Sequence, residues 1–175
     1  SAAEKKKVRV ILPVDVVVAK EVTRGTEYKT IPAEKIPASW HIVDVGKATL
    51  DLMEDALAEV QTVFWNGPLG VFEIPSFAHG TRAIARFLAT RADAGATVVV
   101  GGGDSVAAIQ QQGLAERFTH ISTGGGASLE FLEGRELPGV AVLLDRELPS
   151  PEPKGKPRGK AGTKAAVKSG AKAGA

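Results

Sequence analysis

Thr97-Val98-Val99-Val100-Gly101-Gly102-Gly103-Asp104-Ser105 passes from a β-branched run, through three glycines, into a segment with helical apolar spacing that continues to about Leu114. The branched residues favour a strand, and the glycines allow a tight turn that can approach a ligand closely. The same order recurs twice. Phe118 to Ile121 reads as a strand, Ser122-Thr123-Gly124-Gly125-Gly126-Ala127-Ser128 as a turn, and Ala127 to about Leu132 as a helix. Upstream, the strand Thr62 to Trp65 runs into Trp65-Asn66-Gly67-Pro68-Leu69-Gly70-Val71-Phe72-Glu73. All three stretches then leave the carboxyl ends of strands, where open α/β sheets bind ligands.

Further out the alternation continues. Ile42 to Val45 reads as a strand, and Leu50, Met53, Leu57 and Val60 fall on one face of a helix over about 48–60. Phe77, Ile84, Phe87 and Leu88 mark a helix starting near Pro75, a favoured first-turn position for proline. Val8 to Leu12 and Val14 to Ala19 read as buried strand split by Pro13. Residues 20–41, with Gly25, Pro32 and Pro37, read as a long excursion carrying minor strands. Repeated β-α units of this length predict an α/β fold with a doubly wound parallel sheet, Rossmann-like and three-layered.

With 175 residues and 43% apolar composition the chain can build one real core, although only 5% of it is aromatic. It has no cysteine, which excludes disulfides and thiolate metal sites and fits a cytoplasmic setting. No apolar run reaches the roughly 18 residues of a membrane helix, so a soluble protein with no membrane partner is expected. Residues 150–175 hold 7 Lys and Arg against 1 acidic residue, leaving 15 against 19 in residues 1–149. The composition of that tail, rich in Pro, Gly, Ala and Lys, predicts disorder, with the domain boundary near Ser150. Ser1 stands where an initiator methionine is expected, just before an apolar run, and suggests sequence upstream.

The glycine turns have a chemical logic. A helix following Gly101-Gly102-Gly103 aims free N–H groups and about half a positive charge at whatever the turn approaches, which suits phosphate. Asp104, read at the N-cap position, can cap its own helix or assist a magnesium ion beside a polyphosphate. The turn at Gly124-Gly125-Gly126 repeats the arrangement one β-α unit later, so two helix N-termini converge on one crevice.

Other chemistries find less support. The chain has neither G-x-x-x-x-G-K-[ST] nor G-x-G-x-x-G. Gly103-Asp104-Ser105 looks like the Gly-Asp-Ser element of some serine esterases. His41, His79 and His120, however, follow Ala38, Ser76 and Arg117 where that mechanism needs an aspartate three residues before the histidine. None has metal-ligand spacing, and surface or packing roles suit them. Trp65 reads as core and Trp40 as a loop plug. The basic tail offers salt-dependent contact with nucleic acid or another acidic surface, without the interleaved aromatics of a base-reading element.

Taken together, Leu12-Pro13-Val14-Asp15-Val16-Val17-Val18-Ala19, the Trp65–Glu73 block, Gly101–Ser105, Ser122–Glu133 and Leu137-Pro138-Gly139-Val140 resemble the nucleotide-binding, C-terminal part of phosphoglycerate kinases, over about residues 8–146. The resemblance implies reversible phosphoryl transfer between 1,3-bisphosphoglycerate and ADP-Mg, giving 3-phosphoglycerate and ATP in glycolysis. It places Gly46 in the adenine pocket, Asn66 and Pro68 at the nucleoside and phosphates, and Glu73 on the ribose hydroxyls. Gly102, Gly103, Asp104 and Ser105 would bind the phosphates, with Asp104 the carboxylate linked to Mg2+. Gly124, Gly125 and Gly126 would aim backbone N–H groups at the phosphoryl group in flight.

The chain departs from that pattern in several places. Gly46-Lys47 replaces the family's Gly-Pro, which weighs on the adenine pocket. The basic domain that takes the phosphoglycerate, and the first β-α units with their glycine-rich segment and lysine, have no counterpart in these residues. The expectations that follow are an incomplete nucleotide-binding domain with an open apolar edge, weak binding of ADP-Mg, little turnover by this chain alone, and a monomeric full-length enzyme. A free-standing nucleotide-binding module without kinase activity, and an interaction protein dominated by its basic tail, are the alternatives.

Overall fold

The computed structural model describes residues 2–143. In chain order the elements are α1 (Ala2–Lys5), β1 (Asp15–Ala19), β2 (Tyr28–Pro32), β3 (His41–Val45), α2 (Lys47–Leu57), β4 (Thr62–Asn66), α3 (His79–Asp93), β5 (Thr97–Gly101), α4 (Gly103–Gln111), β6 (His120–Ser122), α5 (Gly125–Leu132) and α6 (Pro138–Ala141). Single 3-10 turns interrupt the connections at Ala33–Lys35, Pro75–Phe77 and Ala115–Arg117. The fold and the site both lie within the first of two units, Ser1–Pro138. The boundary expected near Ser150, and the basic tail beyond it, fall outside the described residues.

Strands β4, β5 and β6 form the expected parallel sheet in sequence order. Each step moves the same way across the sheet, so right-handed crossovers put both connecting helices on one face. Ile84 and Leu88 of α3 and Ile109 of α4 accordingly share a core with Val63, Trp65, Val98 and Val100. Thr81, Ile84, Ala85, Leu88 and Ala89 are the buried stripe of α3, at the spacing of a helix face against a sheet. On the opposite face, Phe64 and Val99 line a groove with Ala127, Phe131 and Leu132 of α5, so helices flank both faces of the sheet.

The first 45 residues depart from the expectation. Strands β2, β1 and β3 make a separate antiparallel sheet, with β1 central. The excursion over residues 20–41 accounts for this. The chain reverses between Ala19 and Tyr28, and a reversal that short can only pair antiparallel strands, since a parallel return needs a long crossover. Val17, Ala19, Val43 and Phe77 form the core beneath this sheet.

Val8 to Leu12 is not a strand. Val8, Val10, Leu12 and Val14 are 48–71% exposed and belong to no ladder among the described residues. An apolar segment holds strand geometry only when neighbouring strands take up its N–H and C=O groups. The helix expected near Pro75 divides in two. Pro75 opens a 3-10 turn, and α3 begins at His79.

Candidate nucleotide site at the carboxyl ends of the parallel strands

Asn66, Gly101 and Ser122, the last residues of β4, β5 and β6, are in register across the sheet. This row is the floor of the site. The Gly102 N–H donates to the Ser122 carbonyl at 3.0 Å, joining the first residue of one glycine turn to the start of the next. Gly102 has φ +90°, a conformation that side chains strongly disfavour, and it turns the chain from β5 into α4.

The two turns touch. A Cβ on Gly125 would stand 2.6 Å from Asn66 Oδ1 and 2.8 Å from the Gly102 backbone. Gly102 is tight in the same way, its own Cβ position lying 2.8 Å from Asn66 Oδ1. Gly103 and Gly126 instead face open space, and both are exposed. The glycines therefore divide by task. Gly102 and Gly125 let the loops close on each other and on Asn66, while Gly103 and Gly126 keep the approach from solvent clear.

Helices α4 and α5 start at this junction, with Gly102 and Gly124 as their N-caps, and neither has a side-chain cap. The first N–H groups of each helix have no intrahelical acceptor and carry the positive end of the helix dipole. Asp104 is not the N-cap. The helix begins two residues earlier than its sequence suggests, which places Asp104 in the first turn of α4 with an exposed carboxylate. Ser128 Oγ donates to the Gly124 carbonyl at 3.0 Å and lies 3.1 Å from Ser122 Oγ, tying the second turn to its strand.

Ser105 is completely buried, and its Oγ accepts the Gly67 N–H at 2.7 Å. That oxygen links α4 to the Trp65–Glu73 loop. Trp65, in the core as expected, donates its indole N–H to the Gly67 carbonyl at 2.7 Å. Two residues on, Leu69 and Gly70 both donate N–H groups to Thr81 Oγ1. Pro68 is half-buried between these anchors, and Glu73 is exposed at the far end of the loop.

Gly46 sits elsewhere. It is the N-cap of α2, packed so closely on the Asp15 carboxylate that a Cβ would overlap it. Asp15 accepts hydrogen bonds from the Thr49 hydroxyl and from the Ala48 and Thr49 N–H groups. Gly46 lines a separate open cleft of about 610 Å³ with Val45, Lys47, Asp51, Glu54 and His79.

The sequence did not single out two buried polar residues that hold these parts together. Asp44, 1% exposed, accepts N–H groups from Val45 at 2.9 Å and from Gly80, near the start of α3, at 2.8 Å. Burial pushes its carboxyl above the usual aspartate range, against these hydrogen bonds and the nearby His79. Thr81 is the other, and its position within the apolar stripe of α3 was the available signal. Trp40, expected to plug its loop, carries Lys29 Nζ 4.5 Å from its ring centroid.

Residues 1–135 match the sequence model of the family described as phosphoglycerate kinase. The chain belongs to the phosphoglycerate kinase family. It is 56% identical over 139 residues to the phosphoglycerate kinase of Rubrobacter xylanophilus, covering 79% of this chain and 35% of that protein. It is 51% identical over 146 residues to that of Fervidobacterium nodosum, covering 83% and 36%. Among solved structures, the phosphoglycerate kinase from Coxiella burnetii superposes with a TM-score of 0.72 at 40% identity, over 80% of this chain and 35% of that one. The Pyrococcus horikoshii enzyme gives 0.61 at 36% identity, over 78% and 32%. The chain thus spans about a third of the length of these phosphoglycerate kinases.

Proposed function

We propose that this chain supplies the Mg-ADP and Mg-ATP site of a phosphoglycerate kinase, for reversible phosphoryl transfer from 1,3-bisphosphoglycerate to ADP in glycolysis. The observation that carries the reading is the contact of Asn66, Gly102 and Gly125 at the ends of three adjacent parallel strands. Two helix N-termini meet there, and their N–H groups are suited to a polyphosphate.

In this reading Gly102, Gly103 and Asp104 receive the phosphates, while Gly124, Gly125 and Gly126 present N–H groups to the transferring phosphoryl group. Such stabilisation is preorganised and needs no covalent chemistry from the protein. Ser105 contributes through Gly67, since its hydroxyl oxygen already accepts that N–H. Asn66 and Pro68 approach the nucleoside and phosphates, and the Glu73 carboxylate can accept both ribose hydroxyl protons.

Magnesium fits this donor set. Among the described residues no three His, Cys, Asp or Glu side chains gather to hold a metal, but Asp104 offers an exposed carboxylate beside the open Gly103 turn. Mg2+ is usually held by one or two carboxylates, with phosphate oxygens and water completing its shell. Asp104 would hold it, and the ion would neutralise charge on the phosphates. Gly46 would border the adenine through its cleft with Val45 and Lys47.

The parts of the relatives that do not align with this chain are left to bind the phosphoglycerate and close over the nucleotide. Closure of that kind excludes water and completes a kinase site, so these 175 residues alone should turn over little substrate. The family reading also implies a cytoplasmic enzyme, monomeric at full length. Among the described residues no helix is long and apolar enough to cross a membrane. Calorimetric titration tests the proposal. Weak 1:1 binding of Mg-ADP is expected, with a coupled assay near background. A folded sample that takes up no Mg-ADP would refute the nucleotide site, and substantial turnover would refute the inactivity.

A further inference from the structure

We infer that Thr81, from within the buried face of α3, is the positioning residue for the nucleotide loop, an inference that rests on the nucleotide reading above. Thr81 is fully buried, and its Oγ1 accepts the Leu69 N–H at 3.0 Å and the Gly70 N–H at 3.2 Å. On the other side of Pro68, the Gly67 N–H is accepted by Ser105 Oγ. Proline has no N–H of its own, so these flanking bonds fix where its ring stands. Two buried hydroxyls, one from α3 and one from α4, thereby clamp the residue expected to meet the nucleotide.

Gly70 shows why the clamp needs a hydroxyl there. A Cβ on Gly70 would overlap the Phe77 carbonyl and stand 2.5 Å from Asp44 Oδ1, so the loop is pressed onto the 3-10 turn that precedes α3 and onto the end of β3. The Leu69 and Gly70 amides reach into this contact to a fully buried oxygen, and an N–H withdrawn from water without an acceptor is costly. The apolar stripe of α3 would accept valine at position 81 by shape. Only the paired amides require an oxygen.

The experiment compares the full chain with Thr81→Val, an isosteric change, and with Thr81→Ser, which keeps the oxygen. The first measurement is amide hydrogen exchange. In Thr81→Val the Leu69 and Gly70 amides should exchange about tenfold faster or more, in line with a buried donor losing its acceptor. Val98 and Val100, in β5, should keep their protection. The second is calorimetric affinity for Mg-ADP, expected to weaken about tenfold in Thr81→Val, with Thr81→Ser restoring both readouts. Thr81→Ala serves in the same comparison if the valine variant does not fold.

Unchanged exchange at Leu69 and Gly70 would overturn the inference, and so would unchanged Mg-ADP affinity despite faster exchange. If the unaltered chain binds no Mg-ADP, the nucleotide reading itself fails and the functional half of the inference falls with it. The exchange comparison still decides whether Thr81 holds the loop.

Discussion

Asn66 Oδ1 occupies the space into which a side chain at Gly125 would grow, 2.6 Å from the position of its Cβ. Three strands contribute to that contact, because the Gly102 backbone stands 2.8 Å from the same point. Adding one methyl group would therefore push apart the two turns that make the site.

Gly125→Ala should destabilise the chain by about 1–3 kcal/mol, the usual range for overpacking a tight interior. Gly126→Ala, one residue along, meets nothing within 4 Å and has an ordinary helical setting. It should leave stability unchanged or raise it by up to about 1 kcal/mol, since alanine is the better helix former. Urea unfolding midpoints check both, and equal midpoints for the two variants would contradict the proposed division between closing and open glycines.

The carboxyls of Asp44 and Asp15 should titrate on opposite sides of the ordinary aspartate value, which carbon-detected NMR can follow residue by residue. Burial holds Asp44 above the ordinary aspartate value. Its proton is bound more tightly in the folded chain, so stability is lost as pH rises from the unfolded value through the folded one. Asp44→Asn should remove that downward slope. Burial also opposes the charge of Asp15, but hydrogen bonds from Thr49 and Ala48 outweigh it and hold the carboxyl below the ordinary value. Its contribution is present above the unfolded value and is lost as pH falls through the folded one. Asp15→Asn should therefore flatten the acid limb of the stability profile.

Asp104→Asn should leave folding intact, because the carboxylate is exposed and caps no helix. Stability should change by less than about 0.5 kcal/mol, as at most surface positions. Affinity for ADP in the presence of magnesium should fall towards the affinity without it. Calorimetry with and without Mg2+ checks this, and a variant that keeps the full magnesium effect would remove Asp104 from the metal-linked role.

The parallel half of the fold was legible because each strand from Thr62 onward is short, branched and followed by a glycine turn and an amphipathic helix. That pattern has one common solution. In the antiparallel half β1 and β3 were legible as strands but their pairing was not, because β2 (Tyr-Lys-Thr-Ile-Pro), which turns the chain back, is largely exposed and lacks the apolar signature of a core strand. Val8 to Leu12 has that signature yet forms no ladder among the described residues, since a strand depends on neighbours that its own composition cannot supply. In the site, the glycines could be found by spacing. Asp44 could not, and Thr81 showed only as a polar residue within the apolar stripe of α3, because the importance of both lies in which distant N–H groups they receive. Ser105 was found for its motif, and the structure gives its hydroxyl a different immediate partner, Gly67.

The most direct test of the nucleotide site is the pattern of backbone amide shifts as Mg-ADP is titrated into the isotopically labelled chain. The account predicts that the largest shifts fall together on Asn66, Gly67, Gly102 to Ser105 and Gly124 to Ser128, with further shifts at Val45 to Lys47 and Glu73, beside the adenine and the ribose. Shifts confined to other surfaces, or a folded chain whose glycine turns do not respond to saturating Mg-ADP, would contradict it.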